Sequence, residues 1–358
     1  MKRVLVALSG GVDSSVAAYL LQQQGYECIG VTMKLYHNTY TSCTKGHTCC
    51  SLDDIEDARS VAYKLGIPYH VFDFSDTFEE KVIQKFVTAY EQGRTPNPCI
   101  DCNRYLKFDR LLQRAKELDC DFVATGHYAQ RVWQPENNRY ALKKGLDDSR
   151  DQSYALYAMT QQQLAHTLLP LGELHKTEVR KIAEEQGFVN ARKHDSQDIC
   201  FVPDGDYVNF LQHYTQKEYP MGDILDTAGN VIGTHQGAVR YTIGQRKGLG
   251  LALGKPVYVC KTSAKDNTVT VGEEADLYST ELMADDWNWG AWERIDQPTR
   301  VQVRVRYHQK EQWAELYPQN EQGMVRLVFE QPQRAVTPGQ AVVAYQGDLL
   351  IGGGTIAT

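Results

Sequence analysis

Nine cysteines are spread through the 358-residue chain, at 28, 43, 49, 50, 99, 102, 120, 200 and 260, and three of them stand where thiol chemistry is feasible. Cys99 and Cys102 lie in Thr95-Pro96-Asn97-Pro98-Cys99-Ile100-Asp101-Cys102-Asn103. The two prolines stiffen that stretch, and a helix is expected to follow it. A thiol near a helix start feels positive potential, which favours the thiolate, and Arg104 and Lys107 add to it. Cys200 sits far away in sequence, in Asp195-Ser196-Gln197-Asp198-Ile199-Cys200-Phe201-Val202. These residue types admit three readings. The thiols are reduced structural residues; or Cys-x-x-Cys plus a third thiolate holds a metal or cluster; or the thiols carry sulfur through a persulfide and a disulfide. Cys43, His47, Cys49 and Cys50 form a second group with irregular metal spacing, and no catalytic role is expected there.

The segment Ser9-Gly10-Gly11-Val12-Asp13-Ser14-Ser15 supplies a different chemistry. It joins the apolar Val4–Leu8 to a helical pattern. Two glycines let the backbone approach an anion, and the turn can aim its N–H groups at one point. The helix N-terminus adds donors and a favourable dipole, and the serine hydroxyls add neutral ones. Asp13 is placed either to cap the helix or to help hold Mg²⁺. The loop lacks the Gly-Lys-Ser/Thr of a Walker motif and the spacing of a dinucleotide fingerprint.

The elements that must position these groups alternate in type. Val4–Leu8, Cys28–Met33, Tyr69–Phe72 and Phe122–Thr125 read as strands. Between them 14–24, Leu52–Leu65, Thr77–Tyr90 and Phe108–Leu118 read as helices, and the helical pattern returns over 164–187. This is an α/β domain with a parallel sheet covered by helices. Ligands of such sheets bind beyond the C-terminal strand ends, where Ser9, Met33 and Gly126 fall. Past Pro203 the texture changes, with short alternating segments and a turn at Ala228-Gly229-Asn230. From about 276 onward the chain alternates like an all-β barrel or sandwich. The expected division is an α/β catalytic domain over 1–205, a small central β-rich domain over 206–275 and a C-terminal β-barrel over 276–358.

The phosphate loop resembles the PP-loop of the ATP pyrophosphatases (adenine nucleotide alpha hydrolase-like), which cleave ATP to AMP and pyrophosphate. Over essentially the whole chain, the sequence resembles the tRNA-specific 2-thiouridylase family. The resemblance is carried by Leu8–Ser14, Thr95–Asn103, Ala124-Thr125-Gly126-His127-Tyr128-Ala129, Asp151-Gln152-Ser153-Tyr154, Ser196–Phe201 and Tyr241–Gly250. It implies ATP-dependent 2-thiolation of the wobble uridine of tRNA, by adenylation of the C2 oxygen and attack of a cysteine persulfide. Ala7, Leu8, Ser9, Gly10, Gly11, Val12, Asp13, Ser14, Met33 and Gly126 then bind ATP, which acts with Mg²⁺. Cys102 is the nucleophile and Cys200 carries the persulfide; they end as a disulfide that an external reductant opens. Asn97, Pro98 and Cys99 face the target base. His127, Arg150, Asp151, Gln152, Tyr307, His308 and Gln340 contact tRNA. A cysteine desulfurase or sulfur relay protein is the implied persulfide or sulfide donor. Cys99 departs from the best-known bacterial pattern, which has aspartate there, and this raises an alternative in which Cys99, Cys102 and Cys200 hold a [4Fe–4S] cluster.

Composition bounds these readings. The odd, scattered cysteines are not those of an extracellular disulfide scaffold. No apolar run approaches the roughly 20 residues of a membrane span. Val4–Leu8 ends at Ser9-Gly10-Gly11 without a signal-peptide cleavage site, so a cytoplasmic protein is expected. The formal charge of −7 argues against a generic nucleic-acid binder. Local basic patches offset that balance. In Arg300-Val301-Gln302-Val303-Arg304-Val305-Arg306-Tyr307-His308, the period of two puts three valines on one face and the arginines on the other. That stripe suits a phosphate backbone. Arg240, Arg246 and Lys247 form a second such patch.

Overall fold

The computed structural model describes residues 1–36, 52–195, 199–202 and 205–357. Cys43, His47, Cys49, Cys50 and the stretch 196–198 lie outside the described residues. The expected parallel sheet is present. It has five strands, β1 (Arg3–Ala7), β2 (Glu27–Lys34), β3 (Tyr69–Asp73), β4 (Phe122–Ala124) and a short β7 (Thr167–Leu168), in the order β3-β2-β1-β4-β7. The alternation of side chains along β1 builds both cores. Val4, Val6 and Leu8 pack with Ala18 and Leu21 of helix α1 (Val12–Gln23) and Ala58 and Ala62 of helix α2 (Leu52–Leu65). Leu5 faces the other way, onto Phe78, Phe86, Leu106 and Leu111.

The helical residues on that second side run over 75–91 and 98–117, each with a π-helical turn inserted, Glu79–Ile83 and Cys102–Arg110. Over 164–187 the continuous helical pattern is interrupted. One helix ends at Ala165, β7 then adds an edge to the sheet, and a second helix spans Lys176–Glu185. The helix Tyr207–Thr215 follows the texture change near Pro203 yet belongs to the α/β body, because Val208 and Leu211 are buried with Phe201 and Phe86.

The small central sheet has the order β10-β11-β8-β9, from β8 (Gly222–Leu225), β9 (Val231–His235), β10 (Tyr258–Ser263) and β11 (Thr268–Gly272). Ile224, Val259 and Val269 form its core.

The C-terminal strands are β12 (Tyr278–Trp289), β13 (Thr299–Arg304), β14 (Gln312–Leu316), β15 (Val325–Arg334), β16 (Ala341–Gln346) and β17 (Leu349–Ile356). They pair in the order β12-β15-β14-β13-β16-β17, and β12 pairs back onto β17, closing an antiparallel barrel. Closure removes the sheet edges. Division by chain order assigns all of 1–205 to the α/β body, but the hairpin β5 (Ala129–Gln134) and β6 (Arg139–Lys144) departs from it. β6 pairs with β17, and Ala141 is buried in the barrel core with Leu282 and Ile351. The two domains thus share a sheet, which fixes the barrel against the C-terminal side of β4.

Candidate functional site

The phosphate loop begins where β1 ends. Gly10 adopts φ 73°, and a Cβ there would meet the Asp54 carbonyl oxygen at 2.4 Å, so glycine is required for both conformation and space. Gly11 is the N-terminal boundary residue of α1, with extended backbone and no side-chain cap. The first-turn N–H groups therefore have no capping side chain, as an anion site needs. Ser14 Oγ accepts from Ser9 N at 3.1 Å and donates to the Gly11 carbonyl at 3.0 Å, which sets the loop's curvature. Gly126, at the end of β4, lies against the same loop, and a Cβ there would come within 2.7 Å of the Asp13 and Ser14 backbone.

Asp13 does not cap α1. Its carboxylate accepts from Tyr128 Oη at 2.7 Å and from Lys176 Nζ at 2.7 and 2.8 Å. Lys176 is buried and also holds Asp195 at 2.7 Å, while Arg150 lies 2.8 Å from the other Asp195 oxygen. Burial works against the charge on Asp195, but Lys176, Arg150 and Arg180 outweigh it and hold the carboxyl below its usual range. Behind the loop, Asn190 Nδ2 donates to the Gly10 carbonyl and to Ser15 Oγ, each at 2.9 Å. Lys193 reaches Asp54 and Asp57 at 2.6 Å and the same Gly10 carbonyl at 3.3 Å. The segment leading to Cys200 is therefore laced to the phosphate loop. Sequence reasoning missed Lys176, Asn190 and Lys193; the only local hint was their density of polar residues just upstream of Cys200.

Asn97 is the N-cap of the helix that carries the cysteines. Its Oδ1 accepts from Cys99 N at 3.2 Å, with Pro98 at the first helical position, an arrangement suited to both residue types. Cys99 is exposed, whereas Cys102 is half-buried at the start of the π-helical turn. Cys102 and Cys200 both pack against one apolar cluster built on Leu5, Phe86 and Phe201, and Ala7 and Met33 border the same cluster. The two thiols and the two strand-end residues expected at the nucleotide are thus brought to one core. Among the described residues, no group of three or more His, Cys, Asp or Glu side chains is gathered closely enough to hold a metal.

Of the residues expected to meet tRNA, His127, Tyr307 and Gln340 lie next to the cysteine helix or the segment leading into it, and Arg150 pairs with Asp195. His127 Nδ1 is 2.7 Å from Thr125 Oγ1, and its ring is 5.8 Å from that of Phe108. Burial, with the charge of Lys107 adding to it, holds His127 well below its ordinary 6.5. Tyr307 donates to the Asp151 carbonyl at 3.0 Å and lies near Cys99. Gln340 donates to the Thr95 carbonyl at 2.8 Å, and His308 is exposed. Gln152 Oε1 accepts from Tyr128 N at 2.9 Å. Asp151 is different, with a side chain only 1% exposed. It accepts from Gly145 N, Ser153 and Arg304, and so ties β6 to β13.

Each arginine of the basic stripe on β13 has a partner within the protein. Arg300 pairs with Glu330 at 2.6 Å over the Trp313 ring, Arg304 pairs with Asp151 and Glu311, and Arg306 donates to the Arg334 carbonyl. Period two correctly gave the faces, but the partners come from β15, from residue 311 and from 151, which the pattern cannot reveal. In the second patch, Arg246 and Lys247 are exposed.

Comparison with known proteins covers nearly the whole chain. Residues 2–204 match a family described as the tRNA methyl transferase HUP domain, 208–273 its PRC-barrel domain, and 279–356 an aminomethyltransferase beta-barrel domain. A tRNA-specific 2-thiouridylase of Acetivibrio thermocellus is 52% identical, over 99% of both chains. Those of Desulforamulus reducens and Moorella thermoacetica are each 53% identical, over 99% and 98% of this chain and 97% and 98% of theirs. The domain descriptions speak of methyl transfer, whereas these full-length relatives are thiouridylases.

Proposed function

The chain belongs to the tRNA-specific 2-thiouridylase family, and from that premise we propose that it performs its sulfur transfer on Cys102 and Cys200, at the wobble uridine, with ATP bound at Ser9–Ser14. The observation that carries this reading is the common apolar cluster bordered by Ala7, Met33, Cys102 and Cys200. Two thiols on an apolar cluster shared with Ala7 and Met33 suit sulfur transfer to a carbon whose oxygen has been activated better than methyl transfer, which needs neither thiol.

A uracil C2 oxygen leaves poorly. Its attack on the α-phosphorus of Mg·ATP expels pyrophosphate and converts it to a bound AMP ester, a far better leaving group. The loop's N–H groups and the α1 N-terminus suit the phosphates. The magnesium arrives with the nucleotide as substrate. The terminal sulfur of a Cys200 persulfide then attacks C2 and AMP departs. The Cys102 thiolate attacks the Cys200 Sγ, breaking its bond to the transferred sulfur. That sulfur keeps the electron pair and stays on C2, and a Cys102–Cys200 disulfide forms. A thiol reductant supplies two electrons to reopen it, and a persulfide donor reloads Cys200.

Asn97, Pro98 and Cys99 border the place of the target base. His127, Arg150, Gln152, Tyr307, His308 and Gln340 form the tRNA-facing rim around it, where an unpaired loop base is more easily extruded than one in a duplex. The buried Asp151 organises that rim by holding Gly145, Ser153 and Arg304 in place. Nucleoside mass spectrometry of tRNA incubated with protein, ATP and a persulfide source tests the assignment. C102S and C200S are expected to yield no 2-thiouridine, and normal turnover in either overturns it.

A further inference from the structure

We infer that Asp286 of the barrel is a positioning residue for Cys102, acting through Arg104; this rests on the reading of Cys102 as the nucleophile. Cys102 opens the π-helical turn Cys102–Arg110, and Arg104 lies on the same turn. The Arg104 side chain crosses to β12, where both terminal nitrogens meet the Asp286 carboxylate, Nη2 at 3.0 Å from Oδ1 and Nη1 against Oδ2. A two-point guanidinium–carboxylate pair fixes orientation as well as distance.

Asp286 itself is held in an uncommon conformation. Its φ is 48°, in the left-handed region, at the irregularity between Asp285 and Asn288 in the β12–β17 pairing. Such bulges re-aim a side chain, and strained non-glycine backbone persists only where its surroundings enforce it. Here the bulge directs a carboxylate at the cysteine helix.

Other ties on this helix come from the α/β chain. Asn103 donates to the Ala155 carbonyl at 3.0 Å, Gln163 to the Arg104 carbonyl at 3.4 Å, and Lys85 reaches Asp101 at 3.3 Å. Asp286 adds a tie from the barrel, the same domain that places Tyr307 near Cys99 and Gln340 against Thr95. A π-helical turn is a poorly favoured local structure, often found at functional sites, so external ties weigh more in setting its position. Docking of a substrate on the barrel and the aim of Cys102 are thereby linked.

D286N tests this in the full chain. Asparagine keeps the size and tolerates the left-handed backbone while removing the charge. The kcat for tRNA thiolation is expected to fall about tenfold, with KM for tRNA within about twofold of wild type. The melting temperature should hardly move, since a half-exposed pair contributes little stability. The pH profile of Cys102 alkylation by iodoacetamide, read on its peptide by mass spectrometry, should change. R104K, which keeps the charge but loses the fork, is expected to show the same kcat loss. An unchanged kcat and alkylation profile in D286N, or a rise in KM alone, overturns the inference. C102S separates the two claims. Thiolation by C102S removes the underlying assignment, whereas an inactive C102S beside a fully active D286N removes only the role of Asp286.

Discussion

The Lys176 ammonium lies 2.7 and 2.8 Å from the two carboxylate oxygens of Asp13. That contact decides how a loop built for phosphates tolerates an acidic residue in the first turn of its helix. Asp13 would repel a polyphosphate, and Lys176, only 6% exposed, offsets it from beneath while also holding Asp195.

Lys176→Met keeps the apolar stem and removes the charge. Asp13 loses its cation while Asp195 keeps Arg150 and Arg180, and removing the partner of a half-buried carboxylate costs about 1–3 kcal/mol. The expected outcome is a lower melting temperature together with a rise in KM for ATP of about tenfold, read by pyrophosphate release. Unaltered ATP dependence would show that the contact is only structural.

Gly126→Ala probes the other wall of the loop. The new methyl would sit 2.7 Å from the Asp13 and Ser14 backbone, which cannot retreat as a side-chain tip could. Overpacking of this kind costs about 1–3 kcal/mol, and the shift falls on the loop itself. ATP affinity, measured by calorimetry, is expected to drop more than tRNA affinity. Equal losses of both would contradict a local effect.

His127 should make stability depend on pH below neutrality. Its folded pKa is depressed by burial from 6.5. As pH falls through that value the unfolded chain takes up a proton first, so the histidine's contribution is complete above it and is lost on acidification. The slope from this one group is at most about 1.4 kcal/mol per pH unit. Urea midpoints between pH 8 and pH 5 should fall more steeply for wild type than for His127→Gln. An imidazolium signal for His127 in NMR spectra at pH 6 would contradict the assignment.

Features encoded in neighbouring residues were readable before the fold was known. Val4–Leu8 followed by Ser-Gly-Gly and a helical pattern is local information, and it gave the strand, the loop and the helix α1. What stayed hidden depends on partners distant in sequence. Nothing within 129–144 announces that its hairpin will extend a barrel sheet through the Leu349–Lys143 pairing. Within the expected barrel the extent of β12 was hidden, because Asp285 and Asp286 and two register shifts break its alternation. The arginines of β13 looked available because Glu330, Glu311 and Asp151 lie elsewhere in the chain. The thiols were legible through their motifs, but their common core was visible only in three dimensions.

Asn97 separates two roles that its position alone confounds. As a target-base contact it would be specific for the amide; as an N-cap it needs only an acceptor for the Cys99 N–H, which lies 3.2 Å from Oδ1. Serine and aspartate cap nearly as well as asparagine, whereas alanine loses about 1 kcal/mol. The cap holds the first turn of the helix that carries Cys102, so its loss should loosen the thiol as well as the fold. Asn97→Ala is therefore expected to lower both melting temperature and thiolation rate, and Asn97→Ser to restore the melting temperature. If the rate recovers with it, the residue acts by holding the helix. If the rate stays low in Asn97→Ser while stability returns, the amide itself meets the base, and capping is its secondary duty.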